Sequence, residues 1–224
     1  MESISTGGEL KTILEMLGYK RPHGSRTERK WIRRYIDSVH GMRKDRQGNR
    51  YIRIGDSNVL FSAHTDTVHR SAGTQTIIHD PGMGTVWKDD QECLGADNAA
   101  GVWLLLEMIK ANVPGLYVFH RGEEKGGIGS NYIRENPSLL EGIDQAVAFD
   151  RKDNVSVITH QGAERCCSDE YALALCDAGG IGWEPDPTGS FTDTANYVDL
   201  VPECTNVSVG YLWEHTANEV LDLD

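Results

Sequence analysis

Side chains that can bind metal ions occur at five places in the sequence, each at the end of a predicted strand or in a loop. They are His64 and Asp66 in AHTD, Asp97 in GADN, Glu123 and Glu124 in RGEEKGG, Asp150 in AVAFD, and His215 in WEHT. Two imidazoles and several carboxylates form a nitrogen and oxygen ligand set, which suits zinc, manganese or cobalt rather than copper or iron–sulfur clusters. Carboxylates can bridge two ions about 3.5–4 Å apart, and such a pair can stabilise both oxygens of a hydrolytic transition state. The residue types therefore indicate metal-assisted hydrolysis.

The adjacent pair Glu123 and Glu124 is the least ordinary of these motifs. Two neighbouring carboxylates repel each other unless a cation neutralises one of them. An exposed polar turn is the alternative explanation of GEEKGG, and each remaining residue also has an ordinary role; Asp97, for example, could cap a helix. The recurrence of ligand-type residues at successive strand ends favours the metal site.

Predicted strands and helices alternate along the chain. Helical spacing of apolar residues predicts helices over 7–18 and from Thr27, the expected N-cap, to Val39. Apolar runs such as NVLFSAH, LYVFH and QAVAFD are typical of buried strands. The alternation predicts an α/β protein over residues 1–224, a single domain of three layers, α/β/α, around a mostly parallel mixed sheet. Such sheets place their sites beyond the carboxyl ends of the strands, where the ligand-type residues occur.

The amino-acid composition indicates the broad class of protein. Hydrophobic content of 39% and charged content of 25% are ordinary for a globular domain. No apolar run approaches the ~20 residues of a membrane span, and the first residues lack signal-peptide features, so we expect a cytoplasmic protein without a membrane partner.

Five cysteines without C-x-x-C spacing predict buried free thiols, and the adjacent Cys166 and Cys167 cannot readily bridge each other.

The net charge of −12 is unevenly distributed. Residues 1–53 contain 13 lysines and arginines against 6 aspartates and glutamates, whereas residues 54–224 contain 9 against 28. The basic segment RTERKWIRRYID could bind nucleic acid, but a solvated helix face whose aliphatic stems cover the core is the preferred interpretation. We therefore expect no nucleic-acid partner, and carboxylates gathered around cations account for part of the acidic remainder.

Five motifs together resemble a known family. They are HTDTV, GADNAAG, RGEEKGGIGS, FDR and SVGY…EHT, which resemble, in this order, the metal motifs of the M20/M28/M42 clan of co-catalytic di-zinc peptidases. The clan contains aminopeptidases, carboxypeptidases and related amidohydrolases. The resemblance extends from about residue 45 to the carboxyl terminus and implies a fold of the zinc-exopeptidase (phosphorylase/hydrolase-like) type. It is specific for the superfamily and much less so for the substrate.

The resemblance implies a role for each ligand-type residue. His64 and Asp150 would bind one metal ion, Glu124 and His215 would bind the other, and Asp97 would bridge both. Zinc is the favoured metal, with manganese or cobalt as alternatives.

The same resemblance gives Glu123 and Asp66 catalytic roles. Glu123 would be the general base that activates the water between the metal ions and then protonates the leaving amine. Asp66 would hold the His64 imidazole in its ligating tautomer.

Three further residues have open interpretations. Asp193 either shapes the site or caps a helix. Arg151 either recognises a substrate carboxylate or steadies a metal-binding carboxylate, and the second role is the preferred interpretation. From proximity alone, Glu219 is expected to hydrogen-bond His215.

The short segment between Asp150 and His215 limits which relatives are good models for the substrate. Only 64 residues separate Asp150 from His215, too few for the lid or dimerisation domain of ~100 residues that many relatives insert. A lidless, M28-like aminopeptidase acting on short peptides is therefore the leading hypothesis. An amidohydrolase or deacylase acting on a non-peptide acyl-amine, or a non-catalytic binding scaffold of the same fold, is the alternative, and a homo-oligomer is left open.

Overall fold

The computed structural model describes residues 7–179 and 182–223. Its five α-helices within this part of the chain are α1 (Gly7–Leu17), α2 (Arg26–Tyr35), α3 (Ala96–Lys110), α4 (Ile128–Glu135) and α5 (Asp169–Gly179). Short 3-10 helices span Glu123–Lys125, Pro137–Leu140 and Asp193–Tyr197. The strands are β1 (Tyr19–Lys20), β2 (Arg43–Lys44), β3 (Arg50–Ile54), β4 (Val59–His64), β5 (Gly73–Thr74), β6 (Ile77–Asp80), β7 (Thr85–Lys88), β8 (Gly115–His120), β9 (Gln145–Arg151), β10 (Ser156–Ile158), β11 (His160–Gln161), β12 (Glu164–Arg165), β13 (Glu184–Asp186), β14 (Glu203–Ser208), β15 (Tyr211–Leu212) and β16 (Val220–Asp222).

Eight of these strands form a mixed central sheet in the order β13–β10–β14–β9–β4–β8–β3–β2. Its four central strands, β14, β9, β4 and β8, are mutually parallel, so their carboxyl ends meet at one edge. The predicted single-domain α/β fold with a mostly parallel mixed sheet is thereby confirmed. A smaller sheet, β15–β16–β7–β6, contains the β6–β7 hairpin that precedes α3 and leads to the loop that carries His215.

Both faces of the central sheet are covered, as β8 illustrates. All six of its residues are buried. Tyr117 and Phe119 pack into the core shared with α1, α2 and α3, whereas Val118 packs with Ile133 of α4 and Tyr197. Successive strand residues point to opposite faces, so a continuous apolar run such as LYVFH is the expected pattern of a strand between two helical layers.

Helix α2 differs from the sequence-based expectation at both ends. It begins at Arg26 because the Ser25 side chain accepts a hydrogen bond from the Glu28 backbone N–H. Thr27 is not the cap, since its hydroxyl donates instead to the Lys20 carbonyl at 2.6 Å. The helix ends at Tyr35 rather than Val39.

All five cysteines are free and buried, as expected from their spacing. Within residues 7–179 and 182–223, no helix combines the length and apolar character that a membrane span requires.

Candidate metal centre

The parallel strand ends position most of the ligand-type side chains. His64 is the last residue of β4, Asp150 lies near the end of β9, and Glu123 and Glu124 follow β8. Potential ligand atoms of three residue groups lie within 4.8 Å of one another: His64, Asp97 and Asp150; Asp97, Glu124 and His215; and His64, Glu123 and Glu124. The structure thus brings together all six of these residues from five separate segments.

Asp97 lies between the two histidines. Its Oδ1 is 2.9 Å from His64 Nε2, and its Oδ2 is 3.1 Å from His215 Nε2. His64 Nε2 also lies 3.2 Å from Asp150 Oδ1, and His215 Nε2 lies 2.9 Å from Glu124 Oε1. Each imidazole therefore faces one oxygen of the shared Asp97 carboxylate and one oxygen of a second carboxylate.

The His64 ring shows what this position stabilises. Its Nδ1–H donates to the Asp66 backbone carbonyl at 3.0 Å, and because a carbonyl can only accept, Nδ1 carries a proton. Nε2 faces the carboxylates of Asp97 and Asp150. It either carries a second proton, so that the ring is positively charged, or is unprotonated, in which case its lone pair would bind a cation that lies between it and the carboxylates. Burial lowers the pKa of His64, but the charge of Asp150 and hydrogen bonds to Asp150 and Asp97 raise it well above its ordinary value. The position stabilises positive charge, whether a proton or a metal ion.

The position between Glu124, His215 and Asp97 also stabilises positive charge. Glu124 Oε1 is buried and, although 2.9 Å from His215 Nε2, makes no hydrogen bond of acceptable geometry. The close carboxylates of Asp97 and Glu124 stabilise the charged imidazolium and raise the pKa of His215 to about 11. Burial raises the pKa of Asp97, yet hydrogen bonds from His215 and His64 lower it below its ordinary value. Imidazole nitrogens and carboxylate oxygens that converge in this way fit a shared divalent cation.

The start of α3 frees Asp97 for this arrangement. Asp97 and Asn98 have non-helical dihedrals, and the peptide bond between them is cis. Asn98 Oδ1 accepts the Gly101 backbone N–H at 3.0 Å, which is the contact of a helix cap. Asn98 therefore performs the capping that the sequence allowed for Asp97.

Asp66 orients the centre in two ways. Its backbone carbonyl, rather than its carboxylate, holds the His64 ring; Asp66 Oδ1 is 3.8 Å from His64 Nδ1. The carboxylate instead accepts the backbone N–H groups of Gly122 and Glu123 at 2.9 and 3.2 Å. Asp66 thus connects the His64 strand end to the turn that carries the two glutamates.

Asp150 is fixed by residues that the sequence did not single out. Thr192 Oγ1 donates to Asp150 Oδ2 at 2.6 Å. Asn206 brackets the Asp150 backbone, since its Oδ1 accepts the N–H and its Nδ2 donates to the carbonyl, each at 2.9 Å. Both partners are more than 40 residues away in sequence, so no local pattern marks them.

Glu123 lies in strongly acidic surroundings. Burial and the charges of Asp150, Asp193 and Asp97 raise its pKa to about 10, although His64 acts in the opposite direction. At this pKa the carboxyl is protonated near neutral pH; neighbouring cations would lower the pKa and leave a carboxylate that can accept a proton.

The structure gives the contacts of the three residues whose roles the sequence left open. Asp193 is buried 3.1 Å from His120 Nδ1, and it is not the cap of its 3-10 helix, which begins after Thr192. Arg151 donates to Asp186 and contacts no carboxylate of the cluster. Glu219 does not hydrogen-bond His215, contrary to expectation; it accepts backbone N–H groups of the segment before α3, including that of Asp97.

Known proteins resemble this chain in their structures but not detectably in their sequences. The chain matches no protein-family model, and no curated protein sequence matches it significantly. Solved structures do resemble it. The aminopeptidase PepT from Bacillus cereus ATCC 10987 superposes with a TM-score of 0.75 at 14% identity, over 96% of this chain and 93% of that chain.

Two further structures give similar values. A tripeptidase from Staphylococcus aureus subsp. aureus Mu50 has a TM-score of 0.70 at 15% identity, over 96% of this chain and 93% of its own. The TET1 peptidase of Pyrococcus horikoshii, which can assemble into a tetrahedron or a large octahedral shell, has a TM-score of 0.67 at 16% identity, over 98% and 95%. The chain therefore has the fold of these peptidases.

Proposed function

We propose that this chain is a metal-dependent amide hydrolase of the co-catalytic di-zinc peptidase clan, an aminopeptidase acting on short peptides. The observation that carries the proposal is the placement of the two Asp97 oxygens 2.9 and 3.1 Å from His64 and His215, each histidine next to a second carboxylate. The fold shared with PepT and TET1 supports it. In this proposal residues 1–224 form one catalytic domain without a lid, so the cleft is open.

Five residues would hold the ions. His64 and Asp150 would bind one, Glu124 and His215 the other, and Asp97 would be shared between them. The neutral nitrogen and anionic oxygen donors favour zinc, with manganese or cobalt as alternatives. When bound, two divalent ions would polarise the scissile carbonyl and make water a stronger acid.

Glu123 would move the proton. Its backbone N–H is fixed by Asp66, and its side chain lies among the ligand carboxylates. Ionised Glu123 would take a proton from the attacking water and transfer it to the leaving nitrogen, which departs as an amine. Asp66 would act through position, by fixing both this turn and the His64 ring.

Metal stoichiometry tests the proposal. After equilibration with zinc and mild desalting, elemental mass spectrometry should find about two ions per chain. His215→Ala should weaken one ion and leave the other, whereas Asp97→Asn should weaken both because both halves share this carboxylate. His79→Ala, in the β6–β7 hairpin, is the control. One ion per chain, or equal losses in the two variants, would contradict the shared centre.

Substrate assays separate the aminopeptidase from its alternatives. The zinc-loaded chain should hydrolyse short peptides with a free amino terminus faster than the same peptides with an acetylated one. The reverse preference would favour the deacylase, and two bound ions without hydrolysis of either set would favour the binding scaffold.

Assembly is a separate part of the proposal. Because TET1 assembles into shells, we include a homo-oligomer, which light scattering coupled to size-exclusion chromatography would detect. A monomer at assay concentration would remove this part alone.

A further inference from the structure

We propose that Arg151 recognises a carboxylate of the substrate on the leaving-group side of the scissile bond, which makes short peptides with a free carboxyl terminus the substrate class. This inference rests on the proposed function, because it describes the same cleft.

The cleft extends beyond the candidate metal centre. The cavity lined by His64, Asp97, Glu123, Asp150 and His215 continues along a wall that includes Arg151, Lys152, Gly189, Ser190, Phe191 and Glu214. A substrate whose scissile bond lies at the metal centre would therefore place its remaining part along this wall.

A bulge explains how Asp150 and its neighbour Arg151 both reach the cavity. In the parallel pairing of β9 with β14, Phe149 lies opposite Val207 and Arg151 lies opposite Ser208, so Asp150 is an extra residue in the ladder. Consecutive strand residues ordinarily point to opposite faces, and an extra residue re-aims the side chains beside it. The bulge places a ligand-type carboxylate and a guanidinium side by side.

The Arg151 guanidinium is held in place but not fully used. Its Nη2 donates to Asp186 Oδ2 at 3.1 Å and to Thr188 Oγ1 at 2.9 Å. Its Nε is buried and has no hydrogen-bond partner. A guanidinium offers five N–H donors, and a buried donor without a partner costs free energy. The side chain therefore has a fixed orientation and an unsatisfied donor.

The carboxylate that holds Arg151 is itself shared. Asp186 Oδ1 accepts from the Thr188 backbone N–H and hydroxyl, and Oδ2 accepts from the Ser156 hydroxyl as well as from Arg151. With its charge divided among several donors, Asp186 orients the guanidinium without saturating it. A second carboxylate can then bind the guanidinium N–H groups that line the cavity, in the planar geometry that arginine favours.

The other nearby cations are less suited to this role. Lys152 and Arg151 each pair with one carboxylate, but the Lys152 side chain is 45% exposed and the Arg151 side chain only 16%, so Lys152 is held less firmly in one direction. Arg165 is exposed, pairs with Asp169, and does not line the cavity. Among the cations named along this wall, Arg151 is thus the best placed to bind an anion.

The test compares leucyl-glycine with leucyl-glycinamide on the zinc-loaded chain. The wild-type protein should hydrolyse the free acid with the higher kcat/KM. Arg151→Met should lower kcat/KM for the free acid by about 10- to 100-fold, mainly through KM, and leave the amide nearly unchanged; Arg151→Lys should be intermediate. Arg165→Met is the matched control. Equal effects on both substrates, or none, would overturn the inference.

A second variant and a binding measurement guard against indirect effects. Thr188→Val keeps the guanidinium, so the preference for the free acid should remain; its loss would show that the loop, not Arg151, selects the substrate. Calorimetric titration of leucyl-glycine and its amide into the zinc-loaded Glu123→Gln variant should show tighter binding of the acid, lost on adding Arg151→Met. Hydrolysis of neither substrate, nor of any other short peptide, would instead count against the proposed function.

Discussion

Glu219 and Asp97 are joined by a hydrogen bond of 3.0 Å between the Glu219 Oε1 atom and the Asp97 backbone N–H. The other oxygen, Oε2, accepts the backbone N–H groups of Leu94 and Gly95 at 2.9 and 3.0 Å. Glu219 is 1% exposed and lies four residues after His215. One buried carboxylate thus fixes the segment that presents Asp97 from the loop that presents His215, and both halves of the candidate centre depend on it.

Replacing Glu219 with glutamine should loosen this connection. A glutamine amide has one oxygen, and its N–H₂ group would face a backbone N–H, which leaves at least one buried donor without an acceptor. We expect a loss of about 1–3 kcal/mol in the free energy of unfolding and a zinc affinity about 10- to 100-fold lower. Urea denaturation of the metal-free protein and competition with a chelating dye measure the two effects.

The exposed Glu141 provides the control for this substitution. Glu141→Gln makes the same chemical change at the surface, so both quantities should stay at their wild-type values. A Glu219→Gln protein with unchanged stability and zinc affinity would show that the three hydrogen bonds do not support the centre.

Glu123→Gln separates binding from turnover. The substitution keeps the shape of the side chain but removes its ability to accept a proton, and Glu123 is not among the five proposed ligands. We expect about two zinc ions per chain, as in the wild-type protein, and peptide hydrolysis reduced about 10²- to 10⁴-fold. Glu135→Gln, on the exposed surface of α4, is the control. Retained turnover would refute the proton transfer, and loss of zinc would reassign Glu123 as a ligand.

The residues that the sequence could identify are those carried by short local motifs. His64 and Asp150 follow apolar runs, and parallel strands bring such ends together, so their proximity follows from the fold class. Thr192 and Asn206, which fix Asp150, carry no such mark because they act across more than 40 residues. Only the folded chain shows which distant hydroxyl or amide meets a given carboxylate.

The basic amino-terminal segment shows the same limit. The cations of RTERKWIRRYID are exposed, as expected for a solvated helix face. Arg21, five residues before this segment, is instead fully buried, with its guanidinium 4.3 Å from the Trp31 ring centroid and hydrogen-bonded to the Thr65 and Gly95 carbonyls. Counting charges cannot separate such a residue from an exposed arginine.

His69 should make stability depend on pH. Burial and the charge of Arg21 lower its pKa to about 4, and the neutral ring accepts from Thr67 and contacts Gln75. Between pH 6.5 and 4 the unfolded chain binds a proton that the folded chain does not, so stability is highest above this window and falls as pH falls. From pH 6.5 to 5 the expected loss is about 2 kcal/mol.

A variant isolates this contribution from the titration of carboxylates. In metal-free His69→Gln the loss between pH 6.5 and 5, measured by urea denaturation, should be smaller than in the wild-type protein by about the same 2 kcal/mol. Parallel stability curves for the two proteins would mean that His69 is protonated as readily in the folded chain as in the unfolded one.

Gly101 should be intolerant of even one added methyl group. A Cβ atom at this position would lie 1.9 Å from the Phe149 carbonyl oxygen of β9 and 2.3 Å from Asn98 Oδ1, the cap of α3. The Phe149 carbonyl is backbone, so relieving this contact would displace the start of α3 from β9, and these two elements present Asp97 and Asp150. Gly101→Ala should therefore lower the free energy of unfolding by at least about 2 kcal/mol and weaken zinc binding as well.

Gly8 is the matched control because it also lies in a helix but has open space around it. No atom lies within 4 Å of a Cβ placed there, and alanine restricts the unfolded chain more than glycine does. Gly8→Ala should leave zinc binding unchanged and raise stability by up to about 1 kcal/mol. If Gly101→Ala behaved like Gly8→Ala, the close contact between α3 and β9 would not be what sets the separation of the two carboxylates.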